Sequence, residues 1–176
     1  MKPKNRAIII LIILFVSITL DQITKKIAHA SLEGSGPVSF FHNFFVLQYA
    51  ENKGGFLGLG ASVPESIRFW VFSVLVALFL IILFFYLVFS KGFTMRQIFA
   101  LSAILGGGIG NLIDRLLNEG RVVDFMNFGI GSLRTGILNV ADLFITFGAI
   151  FLLWFLIMEN RKEKNLDSPV KPGNDE

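Results

Sequence analysis

The chain has 176 residues, 53% of them hydrophobic and only 16% charged, with a mean hydropathy of +0.67; a soluble domain carries about 25% charged residues, so an ordinary water-soluble domain is excluded and lipid is implicated as solvent. The formal net charge is +3, but Lys and Arg lie mainly at the ends of apolar runs, which speaks for orientation in a membrane rather than for nucleic-acid binding. Cysteine is absent, which excludes disulfides, thiolate catalysis and thiolate-held zinc or iron–sulfur sites.

Four apolar stretches approach the ~20 residues a spanning helix needs, and they predict helices over residues 7–28, 67–90, 97–117 and 136–158. The first follows Lys2, Lys4 and Arg6 and precedes Ala28-His29-Ala30, a pattern also found in cleaved leaders. The intervening polar segment Asp21-Gln22-Ile23-Thr24-Lys25-Lys26 and three further spans favour a retained helix. Residues 29–66 then lie outside, and the Phe-rich stretch 38–50 reads as an extended strand. In the third span Ser102, Gly106 and Gly110 recur every four residues, the small-residue pattern of close helix packing. The pair Gly108-x-Gly110 lacks the preceding strand and third glycine of a dinucleotide loop. Residues 118–135 read as an ordered loop, and the fourth span carries one charge, Asp142, about two turns from its outer end. Residues 1–160 form one four-helix domain, and residues 161–176, with Pro169, Pro172 and Gly173, read as a disordered cytoplasmic tail. An even number of spans places both termini together, and Lys2, Lys4, Arg6, Lys91, Arg96, Arg161, Lys162 and Lys164 assign that side to the cytoplasm.

With this topology Asp21, Asp114, Arg115, Asp124 and Asp142 all gather toward the outer leaflet. Charges at membrane depth are costly and mark either pairing or function. Asp21 and Lys25 stand at i, i+4 and read as a structural, orienting pair. Asn111 and Arg115 have the same spacing, with Asp114 or a carboxylate across the bundle as the expected partner of Arg115. Asp142 has no basic residue one turn away in either direction; Asn139 and Thr146 share its face. Asp124 is an acid between apolar residues, a pattern that also fits a turn or cap. No His-Glu-x-x-His occurs, and His29 and His42 both lie in the first outer segment. For hydrolysis a pair of carboxylates remains. A transporter or proton relay would also hold intramembrane charges, but near the midplane and often with an internal repeat; the residues here lie to one side and no repeat is visible. An inert scaffold using these charges as structural pairs is the other alternative.

Four blocks carry a resemblance: Asp21-Gln22-Ile23-Thr24-Lys25; Asn52-Lys53-Gly54-Gly55; Gly110-Asn111-Leu112-Ile113-Asp114-Arg115 with Val122-Val123-Asp124-Phe125; and Asn139-Val140-Ala141-Asp142. In order and spacing they resemble signal peptidase II, the bacterial lipoprotein signal peptidase, over residues 7–158. The resemblance implies an all-α membrane protein of four transmembrane helices with a small extracytoplasmic β-sheet that cradles substrate, in the bacterial inner membrane with its active site toward the outer leaflet. It implies an aspartic endopeptidase that cleaves prolipoproteins before a diacylglyceryl-modified cysteine, with Asp124 and Asp142 catalytic. Asn52, Gly54, Asn111, Arg115 and Asn139 would bind substrate, and Asp21, Lys25 and Asp114 would be structural. Its partners would be the prolipoprotein and membrane lipid, with no nucleic acid, metal or cofactor, and the chain would act as a monomer. Two departures bear on specificity: Phe56 stands at a usual alanine, and Leu138 at a usual phenylalanine.

Overall fold

The computed structural model describes residues 3–55, 60 and 62–166. Helix α1 (Pro3–Leu32) is followed by strands β1 (Val38–Phe40) and β2 (Phe45–Asn52). Helix α2 (Glu65–Phe69) runs through one π turn (Trp70–Leu75) into α3 (Val76–Phe89), so these segments form one rod. Then come α4 (Met95–Leu117), β3 (Val122–Ile130), β4 (Leu133–Arg134) and α5 (Val140–Leu166). Four helices are long and apolar enough to cross a membrane: Lys4–Leu32, Glu65–Phe89, Met95–Leu117 and Val140–Arg161. The architecture is that of an all-α membrane protein carrying a four-stranded antiparallel sheet in the order β1-β2-β3-β4. Phe56 lies outside the described residues, as do residues 167–176 of the expected tail. Helix α5 itself continues to Leu166, past the expected end of the fourth span.

Polar side chains share the interior with apolar ones, and large apolar side chains cover the surface. Ser17, Asp21, Lys25, Ser102, Asn111, Asp114, Asn139 and Asp142 are buried, while Phe15 is 72% exposed and Phe89 73%. Lipid tails are as apolar as leucine, so helices in a bilayer associate through close packing and polar contacts rather than by hiding apolar area. Helix α4 occupies the centre: 56% of an 18-residue stretch of it is buried, against 17–22% of the corresponding stretches of the others. Its small residues allow this. A Cβ on Gly106 would strike Ser17, one on Gly107 the carbonyl of Ala141, and one on Gly110 would sit 2.6 Å from Asp21 Oδ2. At the end opposite the sheet, the Arg6 guanidinium donates to the Ser90 carbonyl, and Thr94 with Gln97 closes a capping box that starts α4. The apolar cluster Ile10, Leu14, Leu80, Leu87, Ile98 and Leu105 fills this half of the bundle.

The sheet sits on the other end. Ala28 and Leu32 of α1 pack against Phe125 and Met126 of β3, with Phe45 and Leu47 of β2 alongside. Two expectations are corrected. Residues 38–50 are not one strand but a hairpin, because Phe41, His42 and Asn43 adopt φ of 50°, 53° and 67° and reverse the chain. Residues 118–135 are not a loop: nine of them form β3, which pairs along β2 and sets Asp124 opposite Ala50.

Candidate active site

The geometry begins at the start of α5. Residues 136–138 are extended rather than helical, and Leu138 exchanges backbone hydrogen bonds with Met126 at 2.7 and 2.8 Å. Helix α5 therefore starts at Val140, and Asp142 lies in its first turn rather than two turns in. Asn139 caps it. Its Oδ1 accepts the Asp142 N–H at 2.9 Å, and Asp142 Oδ2 accepts the Asn139 N–H at 3.3 Å. This is the reciprocal arrangement of a capping box, with aspartate in the acidic place. Asp142 is thereby fixed at a helix N-terminus, where the macrodipole favours negative charge. Asn139, not Thr146, is its partner on that face.

Strand β3 delivers the second carboxyl. Asp124 is 2% exposed. Its Oδ1 accepts from Asn139 Nδ2 at 2.6 Å and its Oδ2 from Asn52 Nδ2 at 3.0 Å. One asparagine, Asn139, thus touches both carboxyls. Asn52 ends β2, and its own Oδ1 accepts the Gly54 N–H at 2.8 Å, which fixes which end of the amide faces Asp124. Burial, and next the charge of Asp142, push the Asp124 carboxyl up to about 7, against hydrogen bonds from Asn52 and Asn139 that hold it down.

A buried ionic cluster stands behind Asp142. Lys25 Nζ lies 2.8 Å from Asp21 and 3.1 Å from Asp114, and donates to Asn111 Oδ1 at 3.0 Å. Asn111 Nδ2 then donates to Asp142 Oδ1 at 2.9 Å. Asp21 also accepts the Ala141 N–H at 2.8 Å, and Asp114 the Val123 N–H at 3.0 Å. The cluster therefore ties α1 and α4 to the first residues of both α5 and β3. Breaking such a buried pair by removing one partner costs about 3–5 kcal/mol.

All ten residues singled out in the sequence meet in this one network. Arg115 departs from expectation in its partners: it donates to the Asn111 carbonyl at 3.2 Å and the Gly54 carbonyl at 2.9 Å rather than to a carboxylate. It holds the turn after β2 against α4. Gln22, part of the first block but given no role there, donates to Asp114 at 2.9 Å and to the Gly110 carbonyl at 3.2 Å.

Residues 13–158 match the model of a family described as signal peptidase (SPase) II. The chain belongs to the signal peptidase II family. It is accordingly a peptidase, and its four apolar helices fit a multi-pass inner-membrane protein. A lipoprotein signal peptidase of Pelodictyon phaeoclathratiforme is 36% identical over 152 residues, covering 81% of this chain and 86% of that one. A lipoprotein signal peptidase of Borrelia hermsii is 32% identical over 164 residues, covering 90% and 95%. Among solved structures, a bacterial membrane enzyme determined by the in meso method superposes with a TM-score of 0.74 at 25% identity, covering 92% of this chain and 94% of that one.

Proposed function

We propose that this signal peptidase II family member is an intramembrane aspartic endopeptidase that removes the signal peptide of prolipoproteins, cutting just before a diacylglyceryl-modified cysteine. The observation that carries the reading is the pairing of Asp124 and Asp142 through Asn139. The relatives named lipoprotein signal peptidase support the substrate class.

Two carboxyls this close hold one proton between them. In the active form Asp124 keeps that proton and Asp142 is ionised. Asp142 takes a proton from water, whose oxygen attacks the scissile carbonyl carbon, while Asp124 donates its proton to the carbonyl oxygen. The tetrahedral species then collapses. The C–N bond breaks, Asp142 returns its proton to the leaving amine, and Asp124 recovers one from the hydroxyl that becomes the carbonyl. Protons balance, and no cofactor is called for. Asn52, Gly54, Asn111, Arg115 and Asn139 line the path of the peptide and orient it; Asp21, Lys25 and Asp114 support them. With both termini in the cytoplasm the carboxyls lie toward the outer leaflet, where the acyl chains of a lipidated cysteine are anchored. The chain acts as a monomer beside membrane lipid.

The test is cleavage by purified protein of one prolipoprotein prepared with and without the diacylglyceryl group. Cutting of the lipidated form alone, at the bond immediately before the cysteine, is expected; equal cutting of both, or of neither, defeats the substrate assignment. The pH profile follows from Asp124. As pH rises through about 7 its carboxyl ionises, the proton donor is lost, and kcat/KM falls on that alkaline side. A flat profile from pH 6 to 9 contradicts the assignment of Asp124 as donor.

A further inference from the structure

The amide of Asn111 has a fixed direction, and two donors fix it, Lys25 and Asn139. Asn111 Oδ1 accepts from Lys25 Nζ at 3.0 Å and from Asn139 Nδ2 at 3.0 Å. An ammonium has no lone pair, so the oxygen of Asn111 must face it and the nitrogen must face Asp142, where Nδ2 donates to Oδ1 at 2.9 Å. Asn52 and Asn139 are also held in one orientation, but by backbone partners: the Gly54 N–H for Asn52 and the Asp142 N–H for Asn139. Asn111 alone among the three has its oxygen held by an ionisable side chain, Lys25, beside a second donor, Asn139.

We infer that Lys25 is a positioning residue for the reaction: by holding Asn111, together with Asn139, with its N–H toward Asp142, it tips the carboxyl pair so that Asp142 stays ionised and serves as general base. The inference rests on the proposed aspartic chemistry and extends it. A carboxyl oxygen that receives an N–H is stabilised as the anion; Asp124 receives two such bonds, from Asn139 and Asn52, and Asp142 two, from Asn111 and the Asn139 backbone, so the direction of Asn111 tips an otherwise even pair. An Asn111 turned the other way would present its oxygen to Asp142 and favour the protonated acid. Asp142 then could not take a proton from water, and the dyad would hold its proton on the wrong member. The charged groups around Asp142 are Lys25 and Asp21 from α1, Arg115 from α4 and Asp124 from β3, with Asp114 of α4 on the far side of Lys25. Lys25 neutralises two of these acids as well, through bridges of 2.8 and 3.1 Å, so a structural role must be separated from a positioning one.

A mutant cycle makes that separation. Lys25→Met combined with Asp114→Asn removes the cation together with one of its carboxylates, so the variant buries less uncompensated charge than Lys25→Met alone. Asn111→Leu removes the relay and leaves Lys25 between Asp21 and Asp114. Each is purified in detergent, its folding verified by circular dichroism and melting, and kcat, KM and the pH profile are measured on the lipidated substrate. Asp142→Asn in the same assay reports on the dyad itself: if it cleaves normally the aspartic reading fails, independently of Lys25. For the positioning role, kcat falls at least ~10-fold in each variant with KM changed less than ~3-fold. The acidic limb of the profile moves upward by about one pH unit, and the double variant placed in the Asn111→Leu background adds no further shift. Should the Lys25 variant not fold, Asn111→Leu decides alone: a folded form with the wild-type profile overturns the inference. It is also overturned if the two effects add, which marks direct action of the charge, or if kcat follows the folded fraction at an unchanged profile, which marks a structural role only.

Discussion

Asp124→Asn and Asp142→Asn are each expected to abolish cleavage of a lipidated prolipoprotein while the protein still folds. The loss in kcat should be ~10³-fold or more, because each carboxyl handles a proton in the transition state and an amide can do neither task. Asparagine is the informative substitute. At position 124 it keeps an acceptor for the N–H of Asn52 or of Asn139, which lie at 3.0 and 2.6 Å. At position 142 it can still accept the Asn139 N–H of the capping box. Alanine would remove a buried hydrogen-bond partner in both cases and confuse inactivity with unfolding. The check is cleavage measured beside the melting profile of each variant. Near-wild-type turnover by either one, with the fold intact, removes that aspartate from the mechanism and leaves the paired carboxyls as a structural device.

The second large effect is on folding. Gly107→Val is expected to prevent assembly of the bundle or to lower its melting temperature sharply. Gly107 faces α5 where the helix backbones come closest: a Cβ there would overlap the Ala141 carbonyl and lie 2.9 Å from Ile145 Cγ1. The first obstacle is main chain and cannot rotate away, so the helices must part. Forced overpacking of this kind costs about 1–3 kcal/mol, and more where the backbone must move. The damage reaches the site, because Asn111 stands one turn further along α4 and its 2.9 Å hydrogen bond to Asp142 spans the same interface. Gly36→Ala is the control, since a Cβ at Gly36 meets nothing within 4 Å. Equal melting temperatures for Gly107→Val and wild type would show that α4 and α5 can separate without cost.

The four spans were legible from hydropathy, since each is a long apolar run. Their ends were less so. Residues 136–138 are Gly-Ile-Leu, apolar enough to extend a predicted helix, and hydrogen bonds from β3 to Gly136 and Leu138 keep them out of it. Those partners lie on another element and leave no local trace. Asp124 shows the same limit. The stretch Val122-Val123-Asp124-Phe125 has strand-forming residues on both sides of the acid, but its partner Asn52 is 72 residues away. The turn at Phe41-His42-Asn43 escaped because it contains neither glycine nor proline. Spacing brought Asp21 and Lys25 together correctly, at one helical turn. It misplaced the partner of Arg115 because two backbone carbonyls, rather than a charge, receive that guanidinium. From the residues alone the chain read as a membrane protein with an acidic site on its outer side. The family resemblance supplied the chemistry.

The way the site is divided along the chain sets the order in which it comes into being. Asn111, Asp124, Asn139 and Asp142 occupy one stretch of 32 residues, from the sheet-facing end of α4 through β3 to the first turn of α5. Lys25 and Asn52 come from far upstream. A ribosome delivering this chain therefore completes α1, with its Lys25, and the β2 end at Asn52 before either member of the carboxyl pair exists. The two aspartates arrive with the final membrane hairpin, into a receptacle that already holds the lysine. Until that hairpin is made the nascent protein holds neither carboxyl, and only the pairing of β3 with β2 and the docking of α5 on α4 bring the two together.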